Sequence, residues 1–105
     1  MDKGDAIMKD KVIMVTGGSS GMGKAMAKRF AEEGANVVIT GRSLERLEAT
    51  KKEIEQREGQ ILCIDMDVRD VERVQYTVDE AINTFGKIDG LVNNAAGNLY
   101  VLLKN

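Results

Sequence analysis

The stretch that most constrains this chain runs from Val12 to Gly23, Val-Ile-Met-Val-Thr-Gly-Gly-Ser-Ser-Gly-Met-Gly. The unbroken apolar run from Val12 to Val15 predicts a strand buried on both faces, because a half-exposed strand would alternate with polar residues. The run breaks into a turn with glycines at 17, 18, 21 and 23. From Met22 to Glu33 the apolar spacing turns helical, with Met22, Met26 and Phe30 on one stripe and Ala27 and Ala31 beside it. A strand that passes through a glycine turn into a helix aims the helix's free N–H groups and positive dipole end at one point. An anionic phosphate is the group that suits that point. Glycine tolerates positive φ there and removes the Cβ that would hold a pyrophosphate off the backbone.

The rest of the chain repeats this alternation. Residues 1–10 read as a polar lead-in without periodicity, and Met8 stands as an alternative start. Gly34 falls where a helix would stop, and Asn36 to Thr40 predicts a second strand around Val-Val-Ile. Past Gly41-Arg42, Ser43 is the expected N-cap of a helix to about Arg57, with Leu44, Leu47 and Ile54 inward. Gln60 to Asp65 reads as the third strand, followed by an Asp67-Val68 loop. Asp70 then caps a long helix to Phe85, in which Val71, Val74, Val78, Ala81, Ile82 and Phe85 keep helical spacing. Gly86 closes it, and Ile88 to Asn93 is the fourth strand. Strands and helices alternating at this spacing predict an α/β, Rossmann-type parallel sheet with right-handed crossovers and helices on both faces.

Composition narrows the chemistry. The chain has 105 residues, enough for one domain, and its 43% hydrophobic and 30% charged content is that of an ordinary globular protein. A net charge of −2 gives no argument for nucleic acid or an anionic membrane. No apolar run is long enough to span a bilayer, and residues 1–11 lack the apolar core of a secretory signal. The single cysteine, Cys63, excludes an internal disulfide and points to a reducing, cytoplasmic setting; its apolar surroundings read as core. Histidine is absent, which removes the usual general base, and no set of metal ligands is apparent.

The glycine spacing, Thr16-Gly17-x-x-x-Gly21-x-Gly23, departs from the G-x-G-x-x-G fingerprint and lacks the Lys-Ser/Thr ending of a nucleotide triphosphate loop. Ser19 and Ser20 can add hydroxyl donors for phosphate oxygens. At the end of the second strand a carboxylate would bind the ribose 2′-hydroxyl of NAD. Here Thr40-Gly41-Arg42-Ser43 stands instead, and a guanidinium at Arg42 favours the 2′-phosphate of NADP. Asp67 can accept from an adenine amino group or serve as a helix-entry cap. Asn93-Asn94-Ala95-Ala96-Gly97 follows the fourth strand, where ligands of such sheets sit, and its small residues leave room for a cofactor. A tight structural turn, or a methyltransferase-like domain on the same glycine turn, stand as alternatives; Arg42 and the Asn-Asn-Ala block speak against the latter.

Together these residues resemble the short-chain dehydrogenase/reductase family: Thr16, Gly17, Gly21 and Gly23, the Asp67-Val68 pair, and the Asn-Asn-Ala block at 93–95. The resemblance covers about residues 11 to 98. The Asn-Asn-Ala-Ala-Gly-Asn spelling, the Gly-Gly-Ser-Ser-Gly-Met-Gly turn and the Thr-Gly-Arg end of strand two look most like the 2,4-dienoyl-CoA reductase-like members, which reduce unsaturated acyl-CoA thioesters with NADPH. The resemblance implies strand order 3-2-1-4 and an NADP(H) site built from Gly17, Ser19, Ser20, Gly21, Met22, Gly23, Arg42, Ser43, Asp67, Val68, Asn93 and Ala95. Full-length members are usually homo-oligomers and take their substrate on a later half.

That later half, with the family's catalytic serine, tyrosine and lysine, has no counterpart in these residues, so no catalytic residue is assigned. Tyr100 and Lys104 spell the family's Tyr-x-x-x-Lys, but only a few positions after Gly97 and without a preceding serine, which reads as coincidence. Subgroup members can continue Phe-Ile-Cys-Pro-Ala-Glu at this point. Loss of one T from codons for that run encodes Leu-Tyr-Val-Leu-Leu-Lys, the residues at 99–104. Residues 99–105 are therefore expected to be an out-of-frame tail, with the chain truncated after the fourth strand and inactive alone. A non-catalytic nucleotide-binding fragment, or a gene remnant, is the alternative. In either case strand four, central in the family, should be an unpaired apolar edge prone to self-association.

Overall fold

In the computed structural model, residues 7–54, 59–94 and 100–103 are described. The elements follow as β1 (Val12–Thr16), α1 (Gly21–Glu32), β2 (Asn36–Gly41), α2 (Leu44–Glu53), β3 (Ile61–Asp65), α3 (Val71–Phe85), β4 (Gly90–Asn93) and β5 (Tyr100–Leu103). Strands β1 to β4 are parallel and lie in the order β3-β2-β1-β4, as expected. β1 pairs with β2 from Val12↔Asn36 to Thr16↔Thr40, and on its other side with β4 from Ile13↔Gly90 to Thr16↔Asn93. The connections run outward one way from β1 to β3 and return to the other side for β4. A crevice therefore opens above the C-terminal ends of β1 and β4.

Every residue of β1 is buried, which is why its sequence does not alternate. Its side chains divide between two cores. Ile13 and Val15, with Val37, Ile39 and Val92, pack under α1 and α2 through Ala27, Ala31, Leu47 and Ile54. Val12 and Met14, with Val38 and Ile64, pack under α3 through Ala81, with Val78 and Phe85 alongside. Each fully buried Val or Ile contributes about 1.5–3 kcal/mol, so the strand centre supplies much of the fold's stability. Ser43 and Asp70 cap α2 and α3 as the sequence predicts, their side chains accepting from Arg46 N and Arg73 N. Arg73 also ties α3 to the end of β3, donating from Nε to the Asp65 carbonyl at 2.8 Å and from Nη2 to its carboxylate at 3.0 Å.

Several residues expected inside are outside. Met22 is 57% exposed, Leu44 44% and Val71 79%. All three lie in the first turn of their helices, at the rim where the strands have already ended, so no sheet lies beneath them. Ile82 is exposed as well, on the edge of the α3 stripe turned away from the sheet. Helix α2 reaches Glu53, and Arg57 falls outside the described residues. At the other end of the chain, Met8 packs against the α1–α2 core and its N–H donates to the Glu33 carbonyl.

The largest departure concerns β4, which is not an unpaired edge. Tyr100–Leu103 turns back as β5 and pairs with it antiparallel, from Gly90↔Leu103 to Asn93↔Tyr100. The exposed backbone of β4 is the template that was expected to recruit another chain, and the chain's own short apolar run fills it.

Candidate nucleotide-binding cleft

A cleft of about 540 Å³ lies at the C-terminal rim of the sheet. It is bounded on one side by the β1–α1 turn, through Gly17, Ser19 and Ser20. The end of β2 and the start of α2 form its floor and back wall with Thr40, Gly41, Arg42, Ser43 and Arg46. The loop after β3 closes it with Met66, Asp67, Val68 and Arg69, and Asn94 enters from the end of β4. Two loop-to-strand bonds hold these walls together: Gly18 N to the Thr40 carbonyl at 3.0 Å, and Met66 N to the Gly41 carbonyl at 2.7 Å.

The turn itself is built for close approach. Gly21 has φ 54, and a Cβ there would meet nothing within 4 Å, so backbone conformation and not crowding calls for glycine. Gly23 is the opposite case: a Cβ would run into the Gly17 carbonyl oxygen and lie 2.8 Å from Asn94 Nδ2. Ser20, the N-cap of α1, is extended and its side chain accepts no bond from the first turn, which also lacks acidic residues. Unlike α2 and α3, then, α1 presents an uncapped positive end.

Thr16 joins β1 to β4 beneath the cleft. Its hydroxyl donates to Asn93 Oδ1 at 2.9 Å, lies 3.4 Å from the Val92 carbonyl, and accepts from Asn94 N at 2.9 Å. Of the residues singled out in the sequence, Gly17, Ser19, Ser20, Arg42, Ser43, Asp67 and Val68 line the cleft. Gly21, Met22 and Gly23 form the first turn of α1 behind its wall, and the Asn93 side chain faces Thr16. Ala95 lies outside the described residues. The cleft also takes in Arg46, Met66 and Arg69, which sequence reasoning missed, and Thr40, Gly41 and Asn94, which it named only as members of their stretches. Arg46 was recoverable, since three residues after an N-cap is still the first turn of a helix whose start was already placed.

Charge in the cleft is positive. Among the described residues Asp67 carries its only carboxylate and is gripped by Arg69: Nε to Oδ1 at 3.1 Å, Nη2 to Oδ2 at 2.7 Å, and Arg69 N to Oδ1 at 2.9 Å. The Arg69 side chain and its backbone N–H hold the Asp67 carboxyl well below the usual carboxylate range, and Asp67 in turn raises Arg69. The adenine contact expected of Asp67 thus competes with a bidentate partner two residues on. Thr40 lines the same cleft, and its buried Oγ1 has no hydrogen-bond partner among the described residues. Cys63 is remote from this chemistry; its Sγ donates to the Leu47 carbonyl, and burial, then Glu48, push its thiol up to about 11.

Tyr100 opens β5 opposite Asn93, so a strand does seat it, and Lys104 lies outside the described residues. Among the described residues, no group of three or more metal-ligating side chains occurs, and no helix is long and apolar enough to cross a membrane.

Comparison with known proteins gives a uniform result. A family model described as short chain dehydrogenase matches residues 11–103. The chain is 55% identical over 91 residues to a probable 2,4-dienoyl-CoA reductase [(2E)-enoyl-CoA-producing] of Bacillus subtilis, covering 87% of this chain and 36% of the relative. To the peroxisomal 2,4-dienoyl-CoA reductase [(3E)-enoyl-CoA-producing] of Rattus norvegicus it is 45% identical, covering 88% and 32%. Among solved structures, a short chain dehydrogenase from Bacillus anthracis superposes with TM-score 0.81 at 60% identity, over 85% of this chain and 36% of that one. The L-sorbose reductase of Gluconobacter frateurii, solved with NADPH and L-sorbose, gives TM-score 0.80 at 36% identity, over 88% and 35%. The chain spans about a third of the length of the curated relatives it matches.

Proposed function

The chain belongs to the short-chain dehydrogenase family, whose members use nicotinamide cofactors, and on that premise we propose that its cleft binds NADP(H). The observation that carries the reading is the meeting, in one cleft, of the glycine turn before α1 and Arg42 at the end of β2. The residues fit the group. Gly23 leaves no Cβ behind the turn, α1 offers an uncapped N-terminus, and Thr40 Oγ1 is a buried polar atom in need of a partner.

In this reading the Gly17–Gly23 turn with Ser19 and Ser20 holds the pyrophosphate, donating backbone and hydroxyl hydrogens to its oxygens. Arg42 and Ser43 hold the 2′-phosphate, Asp67 and Val68 bound the adenine, and Asn93 borders the cofactor at the end of β4. When bound, the nicotinamide supplies a hydride. Thr16 fixes the rim by fastening Asn93 and Asn94 to the end of β1.

The likeness to 2,4-dienoyl-CoA reductases supports a proposal that the whole protein reduces a 2,4-dienoyl-CoA; a homo-oligomeric working form is proposed with it. Residues 11–98 supply the cofactor half of that reaction. Without a positioned acid to protonate the substrate, these residues bind the nucleotide and do not turn over. The alternative, a fragment that binds nothing, is separated by experiment. NADPH consumption with a 2,4-dienoyl-CoA is expected to equal the enzyme-free blank while NADPH remains bound; turnover above the blank would refute the assignment of the chain as a cofactor half only.

A further inference from the structure

We propose that Arg69 relaxes the cleft's selectivity for the purine base, by occupying the Asp67 carboxylate that would otherwise accept from a 6-amino group; the inference rests on the NADP(H) reading above. Both residues line the cleft, on the loop between β3 and α3. Asp67 Oδ1 accepts from Arg69 N at 2.9 Å and from Nε at 3.1 Å, and Oδ2 accepts from Nη2 at 2.7 Å. A carboxylate offers about four lone-pair positions, and Arg69 alone fills three of them. One position is left, on Oδ2. The arrangement is local: Arg69 N bonds the side chain two residues back, as in an Asx turn, and Asp70 N bonds the Asp67 carbonyl at 2.9 Å. The chain therefore enters α3 with the pair already formed.

A bare carboxylate at this wall would read the base by its hydrogens: it accepts from the amino group of adenine and repels the keto oxygen of hypoxanthine. With Arg69 across it, the wall shows one acceptor position and guanidinium N–H donors side by side. A guanidinium bond to a carboxylate is stronger than one from a neutral amino group, so adenine gains little by displacing it. A keto oxygen meets donors in place of an uncovered negative charge. The wall thus accepts 6-amino and 6-oxo purines with little preference. The Arg69 side chain is 78% exposed and bonds only Asp67 among the described residues, so it can be removed without touching the core.

Fluorescence titration of the full chain with NADPH and with its hypoxanthine counterpart tests this, since the two differ only in a 6-amino against a 6-oxo purine. The unsubstituted chain is expected to bind both within about threefold of each other. Arg69→Ala should widen the ratio in favour of NADPH by about fivefold, the effect of one exposed ion pair given up. Arg69→Lys keeps the charge without the planar fork and should fall between the two. In an Asp67→Asn background Arg69→Ala should no longer move the ratio, because there is no carboxylate to uncover. The alanine variant should unfold at the same urea concentration as the parent. A ratio unmoved by Arg69→Ala, with both dinucleotides still bound, overturns the role of Arg69 while the NADP(H) reading stands. So does a widened ratio that persists in the Asp67→Asn background, or an unsubstituted chain that already rejects the counterpart by tenfold. An unsubstituted chain that binds neither dinucleotide overturns both readings.

Discussion

Replacing Thr16 by valine removes the hydroxyl that joins the two halves of the sheet beneath the cleft and keeps nearly all of its volume. Thr16 is 5% exposed, and water cannot replace what is lost. The hydroxyl donates to Asn93 Oδ1 at 2.9 Å and accepts from Asn94 N at 2.9 Å. Each net hydrogen bond is worth about 1 kcal/mol, and each buried group left without a partner costs about 1–3 kcal/mol. The expected destabilisation is therefore about 2–4 kcal/mol, a large part of the about 5–15 kcal/mol that holds a domain of this kind together. Urea unfolding followed by far-ultraviolet circular dichroism reads it as a lower midpoint at unchanged slope. In a thermal melt the same loss amounts to about 10–20 °C. Thr16→Ser keeps the hydroxyl and should stay within about 1 kcal/mol of the parent. A valine variant within about 0.5 kcal/mol of the parent, or a serine variant as damaged as valine, would refute the assignment of the bridge.

Gly23→Ala should abolish nucleotide binding and lower stability by more than about 2 kcal/mol, because its Cβ has only the Gly17 carbonyl and Asn94 Nδ2 to occupy; calorimetry and urea unfolding measure the two effects. Asp89 anchors the start of β1, accepting from Val12 N at 2.9 Å and pairing with Lys87 Nζ at 3.2 Å. Burial pushes its carboxyl up, but the Val12 N–H, Lys87 and Lys11 outweigh that and hold it below the usual value. Its stabilisation is thus present above about pH 4 and lost as pH falls through the lowered folded-state value; Asp89→Asn should flatten that acid limb in urea midpoints taken across pH. With its thiol raised to about 11, Cys63 should react with an aromatic disulfide reagent far more slowly in the folded chain than in urea, and equal rates would contradict its burial.

How much of this was legible in the sequence follows from how local each signal is. The run Val12–Val15 and the glycines after it place β1, the turn and α1 to within a residue or two, because burial on both faces and backbone conformation are written into adjacent positions. Ser43 and Asp70 are legible as caps for the same reason. What periodicity cannot report is where the sheet stops. Met22, Leu44 and Val71 keep their helical phase and still face solvent, since each precedes the point at which its helix comes down on the strands. The cleft's hidden members have a similar cause: Arg46 and Arg69 enter it only when three loops from distant positions meet at one rim, and Thr16's partners are 76 to 78 residues away. The pairing of β4 was misjudged because a family pattern ending at strand four says nothing of what a free edge will accept, and β4 accepted Tyr100–Leu103.

The central claim is that the rim between the glycine turn and Arg42 is an NADP(H) site. Fluorescence titration of the purified chain with NADPH and NADH in parallel tests it most directly. Saturable binding with a blue-shifted nicotinamide emission, and NADPH favoured by about tenfold or more, is the expected result. No saturable signal with either nucleotide, or NADH bound as tightly as NADPH, would contradict it.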